Sequence, residues 1–288
     1  MRKEWPLVAF TILGQAAVGL FWGFHLPFLV RGRVPAYGWR MSWLVVLAVV
    51  VLLTALAAAV SFFHLHHWLR ARRALRNLRS SWLSREILFE LAFVALAAGN
   101  ALSGGFLNLG CGARWSLLAA AGLAGALFLW SMVKLYTLPS VPVWKRAYTP
   151  LTFLATTLLL GAVSTELVVR AAAGPGVFEI DLMPVILVLL AAEIALAAIA
   201  TPRDGLKGYH PTPSLRPDEA PPRLLHRARI ALFAAALICA VIDIRSGGNA
   251  IMNEPGASPV LLLVFLFALA GEIAGRFQFY GFVRRPGD

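Results

Sequence analysis

The chain has 288 residues, of which 59% are hydrophobic and 14% are charged, and its formal net charge is +12. A soluble domain carries about a quarter charged residues. So high an apolar content excludes a disordered protein. Two cysteines are too few for a disulfide scaffold, and too few to ligate an iron–sulfur cluster. The composition therefore indicates an integral membrane protein.

Eight apolar segments follow one another along the chain, separated by short polar links. A helix needs roughly 20 apolar residues to cross a bilayer, and it satisfies its own backbone hydrogen bonds there. We predict an all-α integral membrane protein, a bundle of eight transmembrane helices that forms a single polytopic domain over residues 1–288. The predicted spans are Pro6–Val30, Met41–Phe63, Ile87–Leu107, Trp115–Tyr136, Tyr148–Val169, Leu182–Ala200, Ala228–Ile244 and Pro259–Phe282.

The first span is expected to be retained rather than cleaved as a signal peptide. It follows Met1-Arg2-Lys3, but it is too long for the apolar core of a secretory signal and has no obvious cleavage site. Eight spans place both termini on one face of the membrane, side A, and the opposite face is side B. Side A collects 20 Lys and Arg residues and side B collects six. Short basic links stay in the cytoplasm, so we predict a cytoplasmic (inner) membrane protein with cytoplasmic termini.

The link between spans two and three is long and basic. Its apolar residues recur at three- and four-residue steps with arginines between them, which predicts a basic amphipathic helix lying on the membrane surface. Two interpretations are open, anchoring to anionic lipid and docking of an acidic partner subunit. The apolar positions are Leu65, Trp68, Leu69, Leu75, Leu78 and Trp82, and the docking candidates are Arg70, Arg72, Arg73, Arg76 and Arg79.

Ionisable residues within the spans concentrate in the side-A half of the bilayer. A charge in hydrocarbon costs several kcal/mol, so each one is a functional candidate. These residues are His64 at the end of span two, Glu86 and Glu90 at the start of span three, Glu193 in span six, and Glu272, Arg276 and Tyr280 in span eight. Structural explanations stay open: Glu272 and Arg276 can neutralise each other at i, i+4, and Glu193 can hydrogen-bond a neighbouring helix. Near side B lie His25, Glu166, Glu179, Asp181 and Asp243.

Three other kinds of site compete for these groups. A metal site around His64 lacks any ligand-spacing motif, and no metal is predicted. A bis-His haem needs two histidines at matching depth on facing helices. His25 and His64 lie near opposite faces, whereas His64 and His226 stay a candidate pair. A transporter or a scaffold without a quinone site is the remaining alternative. A transporter favours broken spans and polar groups near the midplane, and here the polar residues lie towards one face.

Quinol oxidation fits one histidine and several carboxylates at one membrane face. The reaction releases two electrons and two protons, and a histidine or a carboxylate near each hydroxyl can accept a proton. We assign His64 as the base and hydrogen-bond partner of the quinol and Glu86 as the proton acceptor. The candidates for the quinol pocket or a proton path are Glu90, Glu193, Glu272, Arg276 and Tyr280. The electrons must leave to a partner subunit on side A.

Several short motifs stand in order along nearly the whole chain. They are Glu4-Trp5-Pro6-Leu7 with Phe10-Thr11 and Gly14-Gln15, His64-Leu65, Leu83-Ser84-Arg85-Glu86-Ile87, Val141-Pro142-x-Trp144 with Thr149-Pro150, Ala192-Glu193, and Gly271-Glu272-x-x-Gly275-Arg276-x-x-Phe279-Tyr280-Gly281. As an ordered set they resemble the membrane anchor subunit of dimethyl sulfoxide reductase-type molybdoenzymes. No single motif is specific, but their order and the eight spans agree with that family.

The resemblance implies a haem-free subunit that oxidises menaquinol in anaerobic respiration and carries no cluster itself. It implies two extrinsic partners, a ferredoxin-like four-cluster iron–sulfur subunit and a molybdenum bis-pterin catalytic subunit, in addition to membrane lipid and with no nucleic acid. It also carries quinol chemistry onto His64 and Glu86. The sequence departs from the family after Leu65, where His66-His67-Trp68 replaces a turn with Gly and Pro. Family members usually hold their extrinsic subunits on the outer face, whereas the charge count here places side A inside.

Overall fold

Eight α-helices and no strands are found in the part of the chain that the structure, a computed structural model, describes. This part comprises residues 5–31, 40–64, 77–105, 110–137, 148–173, 181–199, 223–246 and 258–281. The helices are α1 (Trp5–Arg31), α2 (Arg40–His64), α3 (Trp82–Gly105), α4 (Cys111–Leu135), α5 (Tyr148–Ala173), α6 (Met183–Ile199), α7 (Arg223–Arg245) and α8 (Pro259–Gly281). The prediction of an all-α integral membrane protein is confirmed.

Six of the helices are long and apolar enough to cross a membrane, namely α1 to α5 and α8. Helix α6 is a shorter apolar helix of 17 residues. Helix α7 has 23 residues and buries two charged side chains, those of Arg229 and Asp243. The protein is thus a multi-pass membrane protein. The predicted amphipathic helix lies mostly on residues 65–76, which are outside the described ranges.

The helices form two bundles of four, which we call the N-terminal bundle (α1 to α4) and the C-terminal bundle (α5 to α8). In each bundle every helix packs against its neighbour in sequence, and the fourth helix packs back against the first. Consecutive helices run in opposite directions, so each odd-numbered helix begins at side A. The bundles meet mainly where α1 packs against α5, and α8 also packs against α1.

Helices α1 and α5 occupy the centre of the molecule. In each of them 72% of the most apolar stretch is buried, compared with 28% in α2. Large aromatic side chains such as Phe21, Phe93 and Phe128 fill the N-terminal bundle, and Phe233 packs with Leu190 in the C-terminal bundle. The leucines and valines on the outward faces of the outer helices are exposed, as expected for residues that contact lipid tails.

Two glycines allow α1 and α5 to approach backbone to backbone. A Cβ atom added at Gly19 would overlap the carbonyl oxygen of Thr157, and one added at Gly161 would overlap the backbone of Gly19. Small residues at a helix crossing in a membrane allow this close van der Waals contact. The glycines therefore set the distance and the register between the two bundles.

Replacing Gly19 by alanine should weaken the junction between the bundles. The added methyl group forces two packed backbones apart, and overpacking of this kind costs about 1–3 kcal/mol. The matched control is Gly99→Ala in α3, where an added Cβ meets nothing within 4 Å. We expect a lower thermal unfolding midpoint for Gly19→Ala and an unchanged or higher one for Gly99→Ala. Equal midpoints for the two variants would contradict the proposed role of the contact.

Candidate functional site

Buried polar side chains in the side-A half form a group that reaches from α3 to α7, which we call the side-A cluster. Its members come from both bundles, and each is less than 10% exposed. They are Gln15, Glu86, Glu90, Tyr136, Thr156, Glu193, Arg229, Glu272, Arg276 and Tyr280. The cluster contains the predicted candidates Glu86, Glu90, Glu193, Glu272, Arg276 and Tyr280, whose side chains the structure describes.

Glu86 and Glu90 form the end of the cluster in the N-terminal bundle. They lie one helical turn apart near the start of α3, and they interact electrostatically with each other. One oxygen of each carboxyl group, Oε1, is buried without a hydrogen-bond partner in the described part of the chain. Helix α2 ends at His64 at the same face and packs against α3. The side chain of His64 lies outside the described part of the structure.

Two tyrosines connect Glu86 with the C-terminal bundle. Tyr136 follows α4, and Tyr280 lies at the end of α8. Their ring centroids are 5.4 Å apart, and Glu86 is close enough to interact electrostatically with both. Phe153 and Phe279 pack around Tyr136 at 5.5 and 6.0 Å. Aromatic side chains therefore join the two ends of the cluster.

Arg276 lies where the two bundles meet, and its partners come from α1 and α5. It donates hydrogen bonds to Gln15 Oε1 at 2.7 Å and to Thr156 Oγ1 at 3.4 Å. Its guanidinium carbon is 3.8 Å from the centroid of the Phe153 ring. Gln15 in turn donates to the backbone oxygen of Phe153 at 3.2 Å. This network holds a buried cation across the bundle boundary.

Direct pairing of Glu272 with Arg276, one of the alternatives that the sequence leaves open, is not observed. The hydroxyl of Thr156 lies between them, 2.9 Å from Glu272 Oε2, where it can donate, while Arg276 donates to the same hydroxyl. The sequence could not reveal this, because α5 supplies a side chain that is 120 residues away from Arg276. A polar bridge from another helix has replaced the i, i+4 contact.

Glu193 makes the ion pair at the other end of the cluster. Arg229 donates to Glu193 Oε2 at 2.7 Å, and neither side chain is more than 9% exposed. The expectation that Glu193 hydrogen-bonds a neighbouring helix is confirmed. Gly275 makes room for the guanidinium, since a Cβ there would lie 2.8 Å from Arg229 Nε. A buried pair of this kind is destabilised strongly when one partner is lost.

The acidic residues near side B form a separate group. Arg170 donates to Glu166 Oε1 and to Asp243 Oδ2, both at 2.8 Å. His25 lies farther along the same half, where its ring stacks on Phe21 at 4.4 Å between centroids. Glu166, Asp243 and His25 lie at the opposite ends of their helices from the side-A cluster, whereas Glu179 lies outside the described residues. Arg170 forms ion pairs with both carboxylates, and this structural role accounts for the two buried acids.

The predicted docking arginines are described only in part. Arg70, Arg72, Arg73 and Arg76 lie outside the described residues. The side chain of Arg79 is exposed in the turn that precedes α3, and its backbone oxygen accepts a hydrogen bond from Arg85 at 2.7 Å. The docking surface therefore stays a prediction.

Sequence reasoning gave no role to several members of the cluster. Gln15, Tyr136 and Thr156 are uncharged, so a search for buried charges passed over them. Arg229 is one of the 20 basic residues assigned to side A, although its position inside the predicted span Ala228–Ile244 indicated a buried charge. Among the residues described, no group of three or more His, Cys, Asp or Glu side chains is placed to hold a metal ion.

Replacing Arg229 by methionine should destabilise the protein by about 3–5 kcal/mol, because it leaves the buried Glu193 carboxylate without its cation. Adding Glu193→Met in the same protein should restore much of that loss, because two apolar side chains can then pack together. Thermal unfolding of the purified single and double variants measures both effects. A single variant as stable as the double variant would show that the pair carries little energy.

Comparison with known proteins adds independent information. The family model for the DMSO reductase anchor subunit (DmsC) matches residues 1–282. The protein is 30% identical over 291 residues to the YnfH subunit of an anaerobic dimethyl sulfoxide reductase of Escherichia coli. It is 29% identical over 285 residues to the C subunit of the anaerobic dimethyl sulfoxide reductase of the same organism. Both alignments cover 96% of this protein and 94% of the relative.

A shorter match is found to the C subunit of the anaerobic dimethyl sulfoxide reductase of Haemophilus influenzae. The identity there is 31% over 160 residues, which covers 55% of this protein and 56% of the relative. No solved structure matches the sequence. The resemblance read from the ordered motifs is confirmed by these findings.

Proposed function

Because the protein belongs to the family of DMSO reductase anchor subunits (DmsC), we propose that it oxidises a quinol at side A and passes the electrons to an iron–sulfur partner subunit. As a member of that family it is a membrane anchor of a DMSO reductase complex. The buried carboxyl groups of Glu86 and Glu90 are the observation that supports quinol oxidation at side A. Each has an oxygen without a partner in the described ranges, and both lie beside the helix that ends at His64.

The chemistry assigned to these residues is proton acceptance. A quinol becomes a quinone when its two hydroxyl groups lose two protons and the ring loses two electrons. His64 accepts a hydrogen bond and then the proton from one hydroxyl, and Glu86 accepts the proton from the other. Glu90, one turn away, provides an alternative exit for that proton. The side of the cluster around Tyr136 and Tyr280 supplies aromatic surface suited to the flat head group of menaquinol.

We propose that the acceptors of the two electrons lie in partner subunits. We place a ferredoxin-like four-cluster subunit at side A, next to the quinol site, and a molybdenum bis-pterin catalytic subunit beyond it. The relatives are named as parts of anaerobic dimethyl sulfoxide reductases, which supports a role in anaerobic respiration. The basic link that contains Arg79 is the proposed docking surface, since Arg residues are suited to bind the carboxylates of an acidic partner.

The alternative of a haem held by His64 and His226 receives no support from the helix arrangement. Helix α2 packs in the N-terminal bundle, and α7 packs against α6 and α8 in the C-terminal bundle. Two axial ligands need facing helices. The visible spectrum of the purified complex tests this directly, because a Soret band would favour the haem.

His64→Ala should lower quinol-driven turnover by about 10²–10⁴-fold, the range in which a general base contributes. Glu86→Gln should have an effect of the same kind, because its amide cannot accept the proton. Turnover of the assembled complex is measured with a reduced menaquinol analogue, and then with an artificial donor that reduces the partner subunits directly. We expect the second activity to stay at the wild-type level.

The matched control for this experiment is His226→Ala, which removes another histidine near side A. We expect quinol-driven turnover to be retained in this variant, whereas the haem alternative requires it to be lost. Retained quinol-driven turnover in His64→Ala would refute the assignment of His64. Loss of activity with both donors would show that the variant has lost its partner subunits rather than its quinol chemistry.

A further inference from the structure

The side chain of Arg85 joins the end of the basic link to the first turn of α3. Its Nε atom donates to the backbone oxygen of Leu78 at 2.8 Å, and its Nη2 atom donates to that of Arg79 at 2.7 Å. The guanidinium carbon lies 4.3 Å from the centroid of the Trp82 ring. One planar group therefore binds two successive carbonyl groups and stacks on an aromatic ring, a geometry that suits arginine and not lysine.

The turn that Arg85 holds, residues 77–81, is also bonded to the start of α3. The backbone N–H of Ser81 donates to the backbone oxygen of Asn77 at 3.1 Å. The hydroxyl of Ser81 accepts from the N–H of Ser84, and its backbone oxygen accepts from the N–H of Arg85, both at 3.3 Å. A serine in this position gives partners to N–H groups that the helix itself leaves free. The turn and the first helical turn thus form one hydrogen-bonded unit.

The position of Glu86 depends on this unit. Helix α3 begins at Trp82, so Glu86 lies only one turn into the helix. Its carboxyl group is buried, and its Oε1 atom has no partner within the described ranges. Helix ends fray readily, because their first N–H groups lack partners within the helix. If the first turn of α3 frayed, Glu86 would lose its fixed orientation.

We propose that Arg85 is a positioning residue of the quinol site, which connects the basic link to the first turn of α3 and so holds Glu86 in place. The inference rests on the proposed function, in which Glu86 accepts a proton from the quinol. Arg85 acts on the reaction only through Glu86 and does not touch the quinol. The proposed docking surface, which contains Arg79, and the proton acceptor are then parts of the same bonded unit.

Arg85→Lys separates this role from a role of positive charge alone. Lysine keeps the charge, but its ammonium group does not reproduce the planar fork to two carbonyl groups. We expect the quinol-driven kcat of the assembled complex to fall about 10–100-fold, since a misplacement of about 1 Å can cost that much. KM should change little, because Glu86 acts in the transition state. Arg85→Gln should show a similar loss, and activity with the artificial donor should stay at the wild-type level in both variants.

Hydrogen–deuterium exchange of the same complexes tests the structural part of the proposal without quinol. The backbone amides of residues 82–86 should exchange faster in Arg85→Lys than in the wild type, whereas those in the middle of α3 should be unchanged. The matched control is Arg114→Lys, near the start of α4 at side B. The Arg114 guanidinium also lies over a tryptophan, 5.9 Å from the Trp43 ring centroid, and no side-chain hydrogen bond from it is observed in the described part of the chain. This control should keep the wild-type turnover and exchange.

Three outcomes would overturn the proposal. The first is a wild-type kcat in Arg85→Lys beside a loss in Arg85→Gln, which would assign the role to charge alone. The second is unchanged exchange of residues 82–86 in Arg85→Lys. The third is an equal loss with both donors, which would show that Arg85 retains the partner subunits instead.

Failure of this proposal can be distinguished from failure of the proposed function. Retained quinol-driven turnover in Glu86→Gln would contradict the assignment of Glu86 itself. Retained turnover in Arg85→Lys beside a loss in Glu86→Gln would contradict only the role of Arg85.

Discussion

The backbone contact between α1 and α5 is the constraint on which the rest of the structure depends. Gly19 lies directly against the carbonyl of Thr157. One turn towards side A on each helix, Gln15 donates to the backbone oxygen of Phe153. The same glutamine accepts a hydrogen bond from Arg276. Close approach of two helices therefore sets the register that brings α8 into contact with the first helix, and the polar cluster exists because of that register.

The buried charged groups near side B and those near side A differ in their bonding partners. Near side B, Arg170 is bonded to both Glu166 and Asp243, although Asp243 Oδ1 is buried without a partner in the described ranges. Near side A, Glu86 and Glu90 lie side by side with oxygens that lack partners in the described part of the chain. Buried ionisable groups of this kind are costly unless a function retains them. The asymmetry agrees with a protein whose chemistry is confined to one face.

Hydropathy predicted the helices, and the alternation of helix direction predicted which acidic residues lie at the same end of the helix bundle. Both properties are local: about 20 apolar residues fix a span, and the alternating direction of the helices fixes which end of each span meets side A. Glu193 and Glu272 could thus be placed in the same layer from the sequence. The family could also be recognised, because its short motifs retain their order.

The contacts within that layer could not be predicted from the sequence. Arg276 and Gln15 are separated by 261 residues, and only the junction of the bundles joins them. The i, i+4 spacing of Glu272 and Arg276 suggested a pair, but Thr156 from α5 lies between them. Tyr136 gave no signal, because an aromatic residue at the end of an apolar helix is ordinary. The roles of His64 and of the docking arginines depend on side chains or residues outside the described part and stay predictions.

The distance in sequence between Gln15 and Arg276 also has a consequence for biogenesis. A ribosome that adds about 5–20 residues per second needs roughly 13 to 50 seconds to synthesise the 261 residues between them. Gln15 lacks its partner on α5 until about the middle of that interval, and it lacks Arg276 on α8 until the end of it. The N-terminal bundle must therefore shield or tolerate an amide in the bilayer during synthesis. Helix α8 follows the seven other described helices along the chain, so the cluster is assembled only after α8 has been made.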